Sequence, residues 1–410
     1  MTTMSGDSRP GGVPRSPGAR PGRAETDRWR ATAEVLAEVR RDPGSTRVEL
    51  ARRLGLASGS ATEITARLRE LGWVVEERAP CGGRGRPTTR VVPAPAGPAV
   101  VAVDVRFEGW RAALAGLDGV PVAVRSGRHA HRDPDAVAAE LDTVVGGLVA
   151  AHPGPVVAAG VGVAATVTDE HQAQGTGQGW SPLDVRRIGA GQGLPVLAGN
   201  DANLAAVAEV RDGAAAGAGT ALFLTVEVGI GGALVLQGRP QTGARGAAGE
   251  FGHLPFGDPA RECACGARGC WNSEVDGRAL ARTLGEAEPD DPHGHTLAVL
   301  ERVRTGDAVA ADAVGRIAAA LGRGTGGLVN AHDPEVVVLG GLGTALRATA
   351  PDDFAAAYTA GLMAFRRDDP PPVVDAAHGA DGVLRGAAAI ALDHVTSAEG
   401  LAAREWLSRS

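Results

Sequence analysis

The sequence predicts a mixed α/β protein: a small helix-turn-helix head with a β-hairpin, followed by a large two-lobed α/β body. Three observations predict it. Residues 27–73 show three short helical patterns parted by tight glycine turns, and two strand-like runs around a Gly/Arg-rich tip follow them. Two apolar strand–turn–strand stretches, starting at Ala99 and at Thr220, each open one half of the rest. Charge divides at the same boundary. Residues 1–95 hold 17 Arg against 11 Asp and Glu, a net of +6, whereas the remainder holds 24 against 37, a net of −13. A basic head on an acidic body is the pattern of a head that meets a polyanion and a body that does not.

The 410 residues are enough for two or three domains, and an apolar fraction of 44% supplies large cores. Aromatics make up only 3% and there are 60 glycines, so those cores are built from small side chains. All 41 basic residues are arginine. A coding bias toward Arg, Ala and Gly accounts for this as well as phosphate recognition would, so arginine content alone says nothing of function. The sequence lacks an uninterrupted apolar run of membrane-spanning length and opens without a signal-like segment. With only four cysteines, three of them in one motif, the expectation is a soluble cytoplasmic protein with reduced thiols and no membrane partner.

Residues 1–25, rich in Pro, Gly, Ser and Arg, read as a disordered basic tail. A winged helix-turn-helix is expected over 26–92. Its first helix runs from Asp27 to Arg41, with Ala33, Val35, Leu36 and Val39 on one face. Thr46-Arg47-Val48-Glu49 reads as a capping box that opens a second helix, Val48 to Leu54, closed by Gly55. A third helix runs from Ser58 to Leu71, with Ala61, Ile64, Leu68 and Leu71 inward. This is the arrangement in which the last helix enters the major groove of DNA. Candidate DNA contacts on it are Ser58, Ser60, Thr62 and Arg67; a carboxylate facing DNA is unfavourable, so Glu63 is not read as one. The strand-like runs at Trp73–Val75 and Thr89–Val92 flank Gly82-Gly83-Arg84-Gly85-Arg86-Pro87, a hairpin wing whose Arg84 and Arg86 suit a narrow minor groove. Cys81 reads as a plain free thiol.

Residues 93–98 form a short proline-rich linker, and the body is expected to occupy 99–410. Ala99–Val105, Trp110–Leu117 and Pro121–Arg125 read as a meander. Asp133 caps a helix with Pro134 in its first position, and Pro155–Val167 reads as a buried strand with its exit turn. Pro195–Gly199 reads as a strand that delivers Asn200-Asp201-Ala202-Asn203 at its carboxyl end, where ligands bind in α/β sheets. A second meander begins at Thr220. Two such openings predict a duplicated lobe with a cleft between.

The stretch Gly249–Cys270, GEFGHLPFGDPARECACGARGC, carries the most specific chemistry. His253, Cys263, Cys265 and Cys270 supply one imidazole and three thiols, the ligand set of a closed tetrahedral zinc site; the alternative is a chance group of reduced thiols.

G-E-x-G-H followed by C-x-C-G-x-x-G-C resembles the ROK family (repressors, open reading frames and sugar kinases), and the GRGRP string resembles the wing of its repressor branch. The likeness runs from about residue 27 to the C-terminal helix. It implies a two-lobed actin-like (ribonuclease H-like) sugar-kinase fold with a zinc-binding loop, with Zn²⁺ held by His253, Cys263, Cys265 and Cys270. It also implies sugar contacts at Asn200, Asp201, Glu250 and His253, and at Asn272, which stands where the family usually has Glu. Asp201 matches the family's catalytic base. The phosphate turns depart from the kinases. Asp104-Val105-Arg106-Phe107-Glu108 replaces a glycine turn, Glu227 stands in the second turn, and only Gly340-Gly341 survives. Ala164-Ala165 replaces a Pro-Gly at the rim of the sugar site. Bulky and acidic side chains do not cradle phosphate. The expectation is therefore a sugar-responsive DNA-binding transcriptional regulator, a repressor, without phosphoryl transfer. It would bind double-stranded operator DNA as a homodimer or homotetramer and respond to a sugar or sugar phosphate. The alternatives are a sugar kinase with a fused DNA-binding head and a ligand-independent regulator with a vestigial cleft.

Overall fold

The computed structural model describes residues 23–78, 89–106, 108–131, 133–175 and 182–409. The chain forms two compact units: one of the described residues up to Leu71, Glu76–Val92 and the residues from His394 onward, the other of Gly72–Val75 and Pro93–Asp393. Most of the expected tail, Cys81, the wing tip with Arg84 and Arg86, and Phe107 lie outside the described residues.

The first unit opens with α1 (Arg23–Arg41), α2 (Arg47–Leu54) and α3 (Ser58–Glu70), followed by β1 (Val74–Arg78) and β2 (Thr89–Pro93), which pair as a two-stranded sheet. Helix α1 begins four residues before the expected Asp27. Trp29, Val35, Leu36 and Val39 form its buried side. The capping box of α2 is present in both directions. The Thr46 hydroxyl accepts the Glu49 N–H (3.3 Å), the Glu49 carboxylate accepts the Thr46 N–H (2.8 Å), and Gly55 ends the helix in the left-handed region at φ 64°. On α3 the buried face is Ala61, Thr65 and Leu68, not the expected Ala61, Ile64, Leu68 and Leu71. Ile64 and Leu71 are half-buried. Thr65 can be buried because its hydroxyl donates to the Ala61 carbonyl one turn back (2.7 Å), which leaves no unpaired polar group. Glu38, 3% exposed, joins α1 to α2 through Arg53 (2.8 Å).

Residues 93–98, expected as a linker, form a turn. The Ala94 N–H donates to the Trp73 carbonyl (3.0 Å) and the Gly97 N–H to Ala94 (2.9 Å).

The second unit has two lobes of the same plan. In the first, β3 (Ala99–Val105), β4 (Gly109–Ala115) and β5 (Pro121–Arg128) form an antiparallel meander. Helix α4 (Pro134–Ala151) starts with the Asp133 carboxylate accepting the Ala136 N–H (2.9 Å) and Pro134 in the first turn. Strand β6 (Val156–Val163) returns parallel to β3. A small sheet of β7 (Thr166–Val167), β8 (Gln172–Gln174) and β9 (Leu183–Asp184) follows, then β10 (Val196–Asn200), parallel to β6, and α5 (Asp201–Asp212). The sheet order is β5-β4-β3-β6-β10.

The second lobe repeats it with β11 (Thr220–Val226), β12 (Ile230–Leu236) and β13 (Arg239–Pro240), then α6 (Asn272–Val275), α7 (Gly277–Leu284), α8 (Pro292–Arg304) and α9 (Ala308–His332). Strand β14 (Val336–Gly341), α10 (Leu342–Thr349), α11 (Pro351–Gly361), β15 (Val373–Asp375) and α12 (Gly382–Thr396) complete it. Its sheet order is β13-β12-β11-β14-β15, the same antiparallel meander with two parallel strands added.

Each lobe has its own apolar core. Val101, Val103, Leu141, Leu148 and Val161 fill the first, and Leu222, Leu224, Ile317, Leu321, Leu339 and Phe354 the second. The alanine face of α5, with Ala202, Ala205 and Ala206, packs with Phe223 and Val235, so the helix that starts at the end of β10 also belongs to the other sheet. Small residues on α9 do the work that the scarce aromatics cannot. A Cβ on Gly324 would lie 2.1 Å from the Trp271 ring, so only glycine lets that indole seat against the helix. Finally α13 (Ala398–Arg409) packs on α1, with Leu401 and Ala402 buried. Among the described residues no helix is long and apolar enough to cross a membrane.

Candidate ligand and metal site

The carboxyl ends of β3, β6 and β10 lie side by side, with Asp104 in register with Gly162 and Gly162 with Gly199. This edge carries Asp104, Arg106, Ala165, Asn200 and Asp201. Asn200 caps α5: its side-chain oxygen accepts the Asn203 N–H (3.0 Å), and its amide donates to the Ala165 carbonyl (3.2 Å) and to Asp201 Oδ1 (3.0 Å). The Asn200 side chain is thus engaged in holding its neighbour. Asp201 Oδ1 also accepts the Ala202 N–H (2.8 Å). Burial pushes the Asp201 carboxyl up to about 7. The charges of Asp104 and Glu250 add to the rise, while the Ala202 amide and Arg106 oppose it.

Gly249 and Gly252 shape the loop that presents Glu250 and His253. Gly249 sits at φ 93° with a hypothetical Cβ 2.4 Å from the Gly232 carbonyl, and a Cβ on Gly252 would meet Asn272 Oδ1 at 2.1 Å. Glu250 Oε1 accepts the Thr166 hydroxyl (3.1 Å), and His253 Nε2 lies 3.8 Å from Glu250 Oε2. Asn272 faces the same loop: its Oδ1 accepts the Ile230 N–H (2.6 Å) and packs against Gly229 and Gly252, so it ties β12 to the loop.

His253 turns its other nitrogen away from this carboxylate. Nδ1 lies 3.6 Å from Cys263 Sγ, Cys265 Sγ lies 3.7 Å from Cys270 Sγ, and the four candidate ligand atoms all lie within 4.8 Å of one another. A zinc tetrahedron with Zn–S bonds near 2.3 Å has S···S edges of about 3.8 Å and N···S edges slightly shorter. The residues therefore fit such an ion, and this group could hold a metal. Burial and the two neighbouring thiols push Cys270 up to about 12, so a cation is what would allow all three sulfurs to ionise together. Glu250, 3.8 Å from the far nitrogen of His253, puts a carboxylate beside the candidate ligand ring. The loop is anchored next door, where Trp271 Nε1 donates to the Ala320 carbonyl of α9 (3.1 Å).

The phosphate turns are filled by the chain itself. Arg106 Nε pairs with Asp104 Oδ2 (2.8 Å), Glu227 Oε2 pairs with His293 Nδ1 (2.9 Å), and Glu227 Oε1 lies 2.6 Å from where a Gly341 Cβ would be.

In the head, Ser58, Ser60 and Thr62 are exposed along the start of α3. Arg67, half-exposed further along α3, has its guanidinium over the Trp29 ring (5.2 Å to the centroid) and 3.7 Å from Glu63. Sequence reasoning missed Thr166, Asp104 and His293. Thr166 follows the Ala-Ala departure directly, yet a lone threonine after a strand carries no signal.

The ROK family model matches residues 101–394. The chain belongs to the ROK family. A MarR family model matches residues 30–85, which cover the C-terminal part of α1, all of α2 and α3 and the first strand of the head. A solved ROK family transcriptional regulator, described as a homologue of the E. coli MLC protein, superposes with a TM-score of 0.75 at 20% identity over 93% of this chain and 100% of its own. A ROK family glucokinase from Streptomyces griseus, solved with glucose and AMPPNP, gives 0.63 at 25% identity over 72% and 99%. In sequence, the glucokinase of Streptomyces coelicolor is 30% identical over 229 residues, 51% of this chain and 71% of the relative. An N-acetylmannosamine kinase of Yersinia pestis is 34% identical over 172 residues, 41% and 55%. The regulator covers 93% of this chain, whereas the Streptomyces griseus glucokinase covers 72%.

Proposed function

We propose that this ROK protein is a sugar-responsive DNA-binding regulator, a repressor, that no longer transfers phosphate. The observation that carries the reading is a MarR-type head joined to a ROK cleft whose phosphate turns are filled by Arg106 and Glu227. The head would contact double-stranded operator DNA through Ser58, Ser60 and Thr62 and through the wing arginines Arg84 and Arg86, with Arg67 buttressing the helix. The body would hold a sugar through Asp201, Glu250, His253 and Asn272, with Asn200 orienting Asp201, and Zn²⁺ through His253, Cys263, Cys265 and Cys270. It would act in the cytoplasm as a homodimer or homotetramer, since helix-turn-helix proteins read paired half-sites.

Fluorescence anisotropy on DNA from the protein's own upstream region, titrated with sugars, tests this. Tight binding released by one sugar is expected; tight binding indifferent to all sugars would leave a constitutive regulator. Replacing Arg84 and Arg86 together by Ala should weaken DNA binding and lower the slope of log affinity against log salt by about 2.

The second reading is an active sugar kinase with a fused head, which the retained Asp201 and the glucokinase likeness favour. An ADP-release assay over the same sugars decides it. Turnover above background would restore catalysis, with Asp201 as base.

A further inference from the structure

Asp104 is 1% exposed and stands at the end of β3, where one oxygen is held by Arg106 (2.8 Å) and the other, Oδ1, has no hydrogen-bond partner among the described residues. The charge of this buried carboxylate therefore leans on Arg106. Two more carboxylates, Asp201 and Glu227, lie within electrostatic reach of the same guanidinium and of Asp104. Arg106 is the counter-charge of this group, half-exposed at 44% of its side chain. On the far turn Glu227 leans over Gly341, held there by His293. The shallow recess beside Arg106 offers no spare cation either: Arg111 is paired with Asp381 (2.6 Å), and Arg128 with Glu108 (2.5 Å).

We propose that Arg106 is a tethered cation that closes the phosphate side of the cleft, and that the pocket beside Asp201 takes an unphosphorylated sugar and rejects its phosphate ester. This rests on the sugar-binding reading above and narrows it. The chemistry is one of donors and acceptors. A sugar hydroxyl can donate to Asp201. A phosphate dianion has only acceptors and would meet the carboxylates of Asp104, Asp201 and Glu227 across one guanidinium whose Nε is held by Asp104. Like charges at such separations in a partly buried site disfavour binding strongly.

Isothermal titration of the full chain with glucose, mannose, N-acetylglucosamine and N-acetylmannosamine, each paired with its 6-phosphate, tests the proposal. The expected result is one neutral sugar bound at least tenfold tighter than its own 6-phosphate. A 6-phosphate bound as tightly or more tightly would overturn the proposal and leave the sugar-binding reading standing. Binding of neither member of any pair would overturn the sugar-binding reading, and this one with it. A second measurement needs no sugar. Arg106→Gln leaves the carboxylates without their cation, so Mn²⁺, followed by electron paramagnetic resonance of the free ion, should bind at least tenfold tighter than in the parent chain. Adding Asp104→Asn should reverse the gain. Equal Mn²⁺ affinity in parent and variant would overturn the role given to Arg106.

Discussion

The two sides of the cleft use polar side chains in opposite ways. On the metal side, His253, Cys263, Cys265 and Cys270 gather ligand atoms within 4.8 Å of one another. On the phosphate side, Arg106 with Asp104 and His293 with Glu227 satisfy each other. The first arrangement is one that a metal ion could complete; the second is complete among the described residues, save for one oxygen of Asp104. Polar residues at a site do not by themselves announce a ligand. What matters is whether their bonding capacity is left over.

The comparison can be broken most forcefully on the metal side. Cys265→Ser should cost on the order of 3 kcal/mol of stability, as loss of a structural metal ligand does, and metal analysis should show the ion gone. A variant with unchanged Tm and metal content would mean that the thiols are ordinary. Glu250→Ala comes next: the sugar response should vanish, by 100-fold or more in apparent affinity, with operator binding intact, and retained induction would remove Glu250 from the site.

Asp201→Asn sharpens the contrast through pH. Because the folded state holds the Asp201 carboxyl near 7, above its unfolded value of 3.8, the folded chain binds the extra proton between those values. Stability from this group is therefore present at low pH and lost as pH rises toward 7. The Asn variant, which cannot ionise, should gain several degrees in Tm relative to the parent at pH 8 and little at pH 4. Equal shifts at both pH values would contradict the buried, crowded setting. The smallest effect belongs to Thr166→Val. Removing the donor to Glu250 should weaken sugar binding about five-fold, in line with roughly 1 kcal/mol for one hydrogen bond, and an unchanged Kd would mean that Glu250 is held by the loop alone.

What was legible in the sequence is what local rules determine. The capping box at Thr46 and Glu49, the Asp133-Pro134 start of α4 and the strand that ends in Asn200-Asp201 all follow from residues within a few positions of one another. The spacing of the metal motif is equally local. The α3 face was misread by a single position because Thr65 looks polar until its hydroxyl is given the Ala61 carbonyl. The rest was hidden by distance. No pattern joins Glu227 to His293 across 66 positions, or Thr166 to Glu250 across 84. Nor does any pattern show that Gly324 exists to seat Trp271. These pairings depend on which strand ends meet, and that is decided by the whole sheet.

The packing of α13 on α1 has a consequence for the order of events during synthesis. Arg40 and Thr396, 356 positions apart, are hydrogen-bonded within the same unit (3.4 Å), and the apolar surface around Val395, Leu401 and Ala402 is buried there. A ribosome that has made the whole helix-turn-helix has not yet made the helix that covers it. At bacterial elongation speeds of about 5–20 residues per second, α1 waits for tens of seconds before its partner emerges. A nascent chain thus carries an unfinished reading head throughout the assembly of its cleft.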